Sequence, residues 1–114
     1  MPRRLQNYLR ISRKRVGLSQ REVALLLGCS DGSEVSRYER FTRRPTLETA
    51  LTYKKLFDVP VGELFGGIND EAQEVLRHRA RLLMEELEKQ AGPVSIRKRQ
   101  FLAALLSRDS HAKQ

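Results

Sequence analysis

The span from Ser19 to Phe41 constrains this chain most, because two helix starts and two helix stops crowd into it. Ser19-Gln20-Arg21-Glu22 has the form of a capping box, with Ser at the cap and Glu three residues on. It opens a helix of about two and a half turns, with Val23, Ala24 and Leu27 inward and Gly28 as its stop. Cys29-Ser30-Asp31-Gly32 reads as a turn in which Ser30 or Asp31 caps the next helix. That helix is expected over residues 33–40, with Val35, Tyr38 and Phe41 on its buried face.

The flanking sequence is helical too, without β-alternation or internal repeats. Leu5, Tyr8, Leu9, Ser12 and Val16 share one face at helical spacing, and Gly17 suits a left-handed C-cap. Thr42-Arg43-Arg44-Pro45 reads as a loop. Thr46 caps a fourth helix carrying Leu47, Ala50, Leu51, Tyr53, Lys54 and Phe57, and Asp58-Val59-Pro60 breaks it. Residues 61–65 make a short fifth helix closed by Gly66-Gly67. Five short helices with short connections predict a compact all-α domain over residues 1–66.

Two more helices are expected in a C-terminal region, residues 67–108. One spans residues 70–90 with a narrow stripe of Ala72, Val75, Leu76, Ala80, Leu83 and Leu87. Gly92-Pro93 separates it from another over residues 95–108, which carries Ile96, Phe101, Leu102, Leu105 and Leu106. Residues 109–114 are expected to be a disordered tail.

Charge narrows the partners. The net charge is +8, which suits nucleic acid, an acidic protein or an anionic membrane surface. Residues 1–65 hold thirteen Lys/Arg against seven Asp/Glu, and residues 66–114 hold nine against seven. The positive field therefore sits mostly on the N-terminal part. The single cysteine, Cys29, excludes an intrachain disulfide. No apolar stretch approaches the roughly 20 residues of a membrane span. Met1-Pro2-Arg3-Arg4 lacks the apolar core of a signal peptide, so a cytoplasmic protein without membrane attachment is expected. Cys29, His78 and His111 have no zinc-ligand spacing. No phosphate-binding Gly-rich loop and no Ser/His/acid set is visible, so neither enzymatic activity nor a cofactor is expected.

Two short helices around a tight turn suit a known physical task. A DNA major groove admits one helix, and the preceding helix holds it across the phosphate backbone. The reading helix needs an inward face that packs, here Val35 and Tyr38, and an outward face that reaches base edges. Ser33, Glu34, Ser36 and Arg37 are the candidates. Arg can fork onto guanine, Ser can pair with any base, and Glu can accept from the cytosine amine. An ordinary helical hairpin with a solvated face is the competing reading of composition alone.

Order and spacing add to this. Leu9 and Arg13, then Gly17-Leu18-Ser19-Gln20-Arg21-Glu22-Val23-Ala24, Leu27-Gly28-Cys29-Ser30 and Val35-Ser36-Arg37-Tyr38-Glu39-Arg40 occur in sequence. Pro45-Thr46-Leu47-Glu48-Thr49 and Phe57-Asp58-Val59-Pro60-Val61-Gly62-Glu63-Leu64-Phe65 follow. Residues 5–65 thus resemble the helix-turn-helix domain of lambda repressor and Cro type, often called Xre-like. The resemblance implies phosphate contacts by Ser19 and Gln20, with Gln20 also buttressing the reading helix; Arg21 joins this group. It implies base contacts at Gly32, Ser33 and Arg37, with Glu34 and Ser36 nearby. It also implies a structural ion pair between Arg13 and Glu39. Arg40, Arg43 and Arg44 follow the reading helix and are expected along the backbone, extended by Arg3, Arg4 and Arg10.

Two departures from the pattern stand out. The turn before Val35 is one residue longer than usual, which shifts the start of the reading helix. Phe41 stands where the family usually has Gly, and a phenylalanine resists a left-handed backbone. A third helix that continues with Phe41 packed on the core is therefore expected. Asp31 and Glu34 either read a cytosine amine or only cap the helix.

The expected function is a sequence-specific, DNA-binding transcription regulator, a dimeric repressor that uses residues 33–40 in the major groove of double-stranded DNA. Leu76, Leu83, Leu87, Phe101, Leu102 and Leu105 are the candidate homodimer contacts. The same residues could instead fold back on the first domain. The alternative function is an antitoxin-like or adaptor protein that binds a protein partner through residues 68–108.

Overall fold

The computed structural model describes residues 7–112, with side chains through residue 108. Arg3, Arg4, Leu5, the side chain of His111 and residues 113–114 lie outside the described residues. Among the described residues the chain is all-α, with seven helices and no strand: α1 (Leu9–Val16), α2 (Gln20–Leu27), α3 (Gly32–Glu39), α4 (Leu47–Phe57), α5 (Val61–Leu64), α6 (Gly66–Glu88) and α7 (Pro93–Ala112). The chain divides into two compact units between Asn69 and Asp70.

In the first unit, α1, α2 and α3 end in the same way. Gly17, Gly28 and Phe41 are left-handed, at φ 82°, 81° and 62°. The amides after them close back on the helix: Leu18 N–H to Arg13 C=O at 3.3 Å, Cys29 N–H to Ala24 C=O at 2.8 Å, Thr42 N–H to Arg37 C=O at 2.9 Å. These are Schellman closures, which satisfy the last carbonyls of a helix. The first two use glycine, which bears no penalty there. The third uses phenylalanine, so the expected continuation of α3 does not occur. The paired carbonyls of Arg37 and Tyr38 outweigh the local preference of Phe41, whose ring lies under the Arg44 guanidinium at 5.5 Å.

The core holds Leu9, Val23, Ala24, Val35, Tyr38, Tyr53, Leu64 and Phe65, with Leu18, Leu27, Ala50, Leu56, Phe57 and Ile68 packed around it. Tyr53 is fully buried at its centre. Its ring meets Tyr38 and Phe65 edge-on, at 6.3 and 6.4 Å, and stacks on Phe57 at 5.9 Å. Each such pair contributes about 0.5–1.5 kcal/mol beyond area burial. Val16, Leu47 and Leu51, expected among the packing positions of α1 and α4, are exposed. Short helices with one crowded contact line bury a narrower face than their apolar pattern suggests.

Gly66-Gly67 does not close the domain. Gly66 is buried and starts α6, and Ile68 packs on the first core. The Asn69 amide donates to the Phe65 carbonyl at 2.8 Å, so the first turn of α6 belongs to the N-terminal unit. The helix expected from residue 70 therefore begins four residues earlier.

In the second unit, the rest of α6 and α7 form a hairpin. Gly92 turns the chain at φ 109°, and Pro93 takes the first helical position, where its missing N–H costs nothing. The buried Ser95 hydroxyl donates to the carbonyls of Leu87 (3.0 Å) and Gln90 (3.3 Å), pinning the turn. Ala80, Leu87, Leu102 and Leu105 are buried between the helices, with Met84 and Leu106 beside them. Of the expected dimer contacts, Leu87, Leu102 and Leu105 are thus taken up inside the hairpin, whereas Leu76, Leu83 and Phe101 are exposed. The α7 helix exceeds the expected 95–108 span at both ends.

Candidate nucleic-acid interface

The capping box at α2 is complete. Ser19 Oγ accepts from the Glu22 amide at 3.0 Å, and the Ser19 amide donates to Glu22 Oε1 at 2.8 Å. These bonds hold the Glu22 carboxyl below its ordinary value. Gly28 ends α2, and Asp31 caps α3 by accepting from both the Ser33 amide (2.8 Å) and the Ser33 hydroxyl (2.5 Å). The Ser33 bonds likewise lower the Asp31 pKa. The choice between Ser30 and Asp31 is settled for Asp31. The lengthened turn is absorbed before the cap, so the first turn of α3 is intact from Gly32.

Gly32 lets the two helices close up. A methyl group there would sit 3.3 Å from the Arg21 backbone nitrogen and 3.4 Å from the Gln20 carbonyl carbon, tighter than ordinary contact. Its Cα therefore faces α2. With Val35 and Tyr38 buried, Ser33, Ser36, Arg37 and Arg40 fall on the opposite side of α3 by the 100° helical step. Ser33, Arg37 and Arg40 are exposed, while Ser36 and Glu34 are half-buried.

One carboxylate fixes the orientation of this helix. Glu39 accepts from Arg13 Nε at 2.6 Å and from Arg13 Nη2 at 3.1 Å. It also accepts from Gln20 Nε2 at 3.1 Å. Arg13 Nη1 reaches the Leu18 carbonyl at 3.0 Å. Glu39 thus ties α1, α2 and α3 at one point, with side chains only 11% (Arg13) and 3% (Glu39) exposed. The hydrogen bond to Glu39 raises the Arg13 pKa above its ordinary value despite burial.

The basic residues after α3 make weak, exposed contacts. Arg43 Nη1 lies 3.6 Å from Glu34 Oε1, and the Thr42 hydroxyl donates to the Arg37 carbonyl at 3.2 Å. Arg40 Nε donates weakly to the Ser36 carbonyl at 3.4 Å. Burial, and then the neighbouring Glu34, push the Cys29 thiol up to about 11, so it stays protonated at neutral pH. Among the described residues no cluster of His, Cys, Asp and Glu is placed to hold a metal ion. No described helix is long and apolar enough to cross a membrane.

Two helices locked about a capped turn, with a polar and basic outer face on the second, match a known family. The family model described as "Helix-turn-helix" covers residues 9–64, which is α1 to α5. Residues 9–64 are a helix-turn-helix domain of the Xre, Cro and lambda repressor type. No curated protein and no solved structure matches the chain. A helix-turn-helix domain suggests DNA binding and transcription regulation.

Within the helix-turn-helix domain, the expected site residues separate by environment. Ser19, Arg21, Arg37, Arg40, Arg43 and Arg44 are exposed, and Gln20 is half-buried on Glu39. Arg13 and Glu39 form the pair that the resemblance implied. Asn7 was not anticipated. Its amide donates to the Tyr38 carbonyl at 2.8 Å, and its Oδ1 accepts from the Leu9 amide at 3.2 Å. It both closes a turn onto the first residue of α1 and ties that segment to α3. The helical spacing of the sequence starts at Leu5, which sets Asn7 inside the pattern and hides it as a helix start.

Proposed function

We propose that this chain is a sequence-specific transcription regulator, a dimeric repressor that inserts α3 into the major groove. The observation that carries the proposal is the setting of Arg37. It stands exposed on the face of α3 opposite Val35 and Tyr38, on a helix whose orientation is fixed through Glu39. A rigid helix is what a bidentate Arg–guanine contact needs, and such a contact discriminates by about 1–3 kcal/mol. Ser33, Ser36 and Glu34 are the further base-reading candidates. Gly32 acts through the close approach of α2 and α3, which places the start of the reading helix.

Ser19, Gln20, Arg21, Arg40, Arg43 and Arg44 make the phosphate contacts in this reading. They supply affinity and register rather than sequence choice. The protein acts by occupying DNA in the cytoplasm, without catalysis. Paired half-sites require two copies, and the exposed Leu76, Leu83 and Phe101 are the residues left to join them. The same exposure supports the second reading, an adaptor that docks another protein on the hairpin.

The test is selection of bound duplexes from a random library, followed by affinity measurements on the selected site. Arg37→Ala should bind the selected site about tenfold or more weakly, with relaxed choice at one base position. Arg43→Ala should weaken selected and random duplexes alike and flatten the salt dependence. An Arg37→Ala protein with unchanged base preference would refute the assignment.

A further inference from the structure

One side of the hairpin of α6 and α7 carries four exposed apolar residues. Leu76, Leu83, Val94 and Phe101 are 47, 50, 57 and 63% exposed. Leu76 and Leu83 are seven residues apart on α6, as are Val94 and Phe101 on α7, so each pair forms a stripe along its helix. The helices run antiparallel, since residue 87 meets 95 and residue 77 meets 106. On both helices the stripe is rotated in the same sense from the buried residues (Ala80 and Leu87; Leu102 and Leu105). In antiparallel neighbours, rotations of the same sense fall on the same side, so the four residues line one side of the hairpin. The outer border of the α6 stripe is formed by Arg79 and Glu86, seven apart, opposite in charge and exposed.

We propose that this side contacts a second copy of the chain, with α6 antiparallel to its counterpart and Arg79 of each copy paired with Glu86 of the other. The inference rests on the dimeric reading above and adds its face and register. Matching 79 with 86 puts the two-fold axis between residues 82 and 83. Leu83 then meets its own counterpart. Because residue 87 lies beside 95 within each hairpin, Leu76 faces Val94 of the second copy, and the two Phe101 rings lie near the axis. Every exposed residue of the stripe gains an apolar neighbour, and both charge pairs form.

Other pairings of α6 with its own counterpart form no Arg79–Glu86 pair. A parallel pairing leaves the Arg79 and Glu86 border of one copy on the opposite side of the seam from that of the other, so these charges do not meet. An antiparallel pairing that matches Leu76 with Leu83 brings the two Arg79 side chains together at its axis. The weak exposed contact of Glu86 with Lys89, 3.2 Å away on the same helix, competes little with the new pair. The hairpin core of Ala80, Leu87, Leu102 and Leu105 is small. Helical units of this size commonly gain stability by association.

The test uses the full chain with Cys29→Ser and one new cysteine, oxidised under mild conditions. Leu83→Cys should cross-link into a covalent dimer. Leu76→Cys should not, because its counterpart lies thirteen residues along the helix, about 20 Å away, beyond the roughly 7 Å limit for disulfide-bonded Cα atoms. In sedimentation equilibrium, Arg79→Glu or Glu86→Arg alone should raise the dimer Kd roughly tenfold, from two lost pairs and new repulsion. The double variant should return to within about threefold of the unmodified chain. Circular dichroism checks that each variant remains helical. Cross-linking at 76 in preference to 83, or no recovery in the double variant, overturns the pairing while a dimer leaves the broader reading standing. A chain that stays monomeric at every concentration overturns both.

Discussion

The Glu39 carboxylate receives the Arg13 guanidinium on both oxygens, at 2.6 and 3.1 Å, almost out of reach of solvent. The pair joins α1 to the end of α3, and Gln20 adds α2 to the same carboxylate. A charge left alone there keeps its desolvation cost and loses its partner. Glu39→Ala should therefore destabilise the domain by about 3 kcal/mol or more, a fall in Tm above roughly 10 °C. Arg13→Met with Glu39→Leu should cost less than either single change, as thermal or urea unfolding would show. A double variant worse than both singles would contradict this role.

Phe41 stores backbone strain at the end of α3. At φ 62° a non-glycine residue is disfavoured by about 1–2 kcal/mol. Phe41→Gly relieves the strain but loses the ring beneath Arg44; Phe41→Ala loses the ring and keeps the strain. The glycine variant should be more stable than the alanine variant by about 1 kcal/mol. Denaturant midpoints in the reverse order would count against the strain.

Tyr53 carries a hydroxyl with no protein partner in the centre of the core. Burial, with the nearby Glu39 charge, raises its pKa strongly. Removing the oxygen while keeping the ring contacts should be neutral or stabilising, by up to about 1 kcal/mol in Tyr53→Phe. Tyr53→Ala should cost about 3–5 kcal/mol. A large loss in Tyr53→Phe would mean the hydroxyl is bonded.

Acid should loosen the starts of α2 and α3. Glu22 and Asp31 both have folded pKa values below their ordinary 4.5 and 3.8. A depressed carboxyl contributes stability that is fully present above its ordinary value and is lost as pH falls through the folded one. Unfolding midpoints should thus hold steady from pH 7 to about 5 and fall below about 4. Glu22→Gln with Asp31→Asn should flatten that fall, because Asn still caps a helix. An unchanged acid slope in the double variant would remove these caps from the account.

Much of this architecture is legible residue by residue. Ser19, Thr46 and the glycines at 17 and 28 announce helix ends through local hydrogen bonding, and each acts as its chemistry predicts. Val35 and Tyr38 are identifiable as the inward face of α3 by spacing alone. Phe41 is different: its own preference opposes the left-handed turn, and closure onto Arg37 and Tyr38 decides the matter. Gly66 and Gly67 read as a break because composition cannot register that Ile68 needs the core behind it. In the hairpin, apolar spacing marks a stripe but not which edge of it meets the chain's own second helix. Leu87 turned inward and Leu83 outward for that reason.

The central claim is that α3 reads sequence from the major groove. Its most direct measurement is the affinity of the full chain for a library-selected duplex against a scrambled duplex of equal length, at the same salt concentration. The account predicts selected-site binding about a thousandfold tighter or more, with both affinities falling steeply as salt rises. Equal affinity for the two duplexes would contradict it.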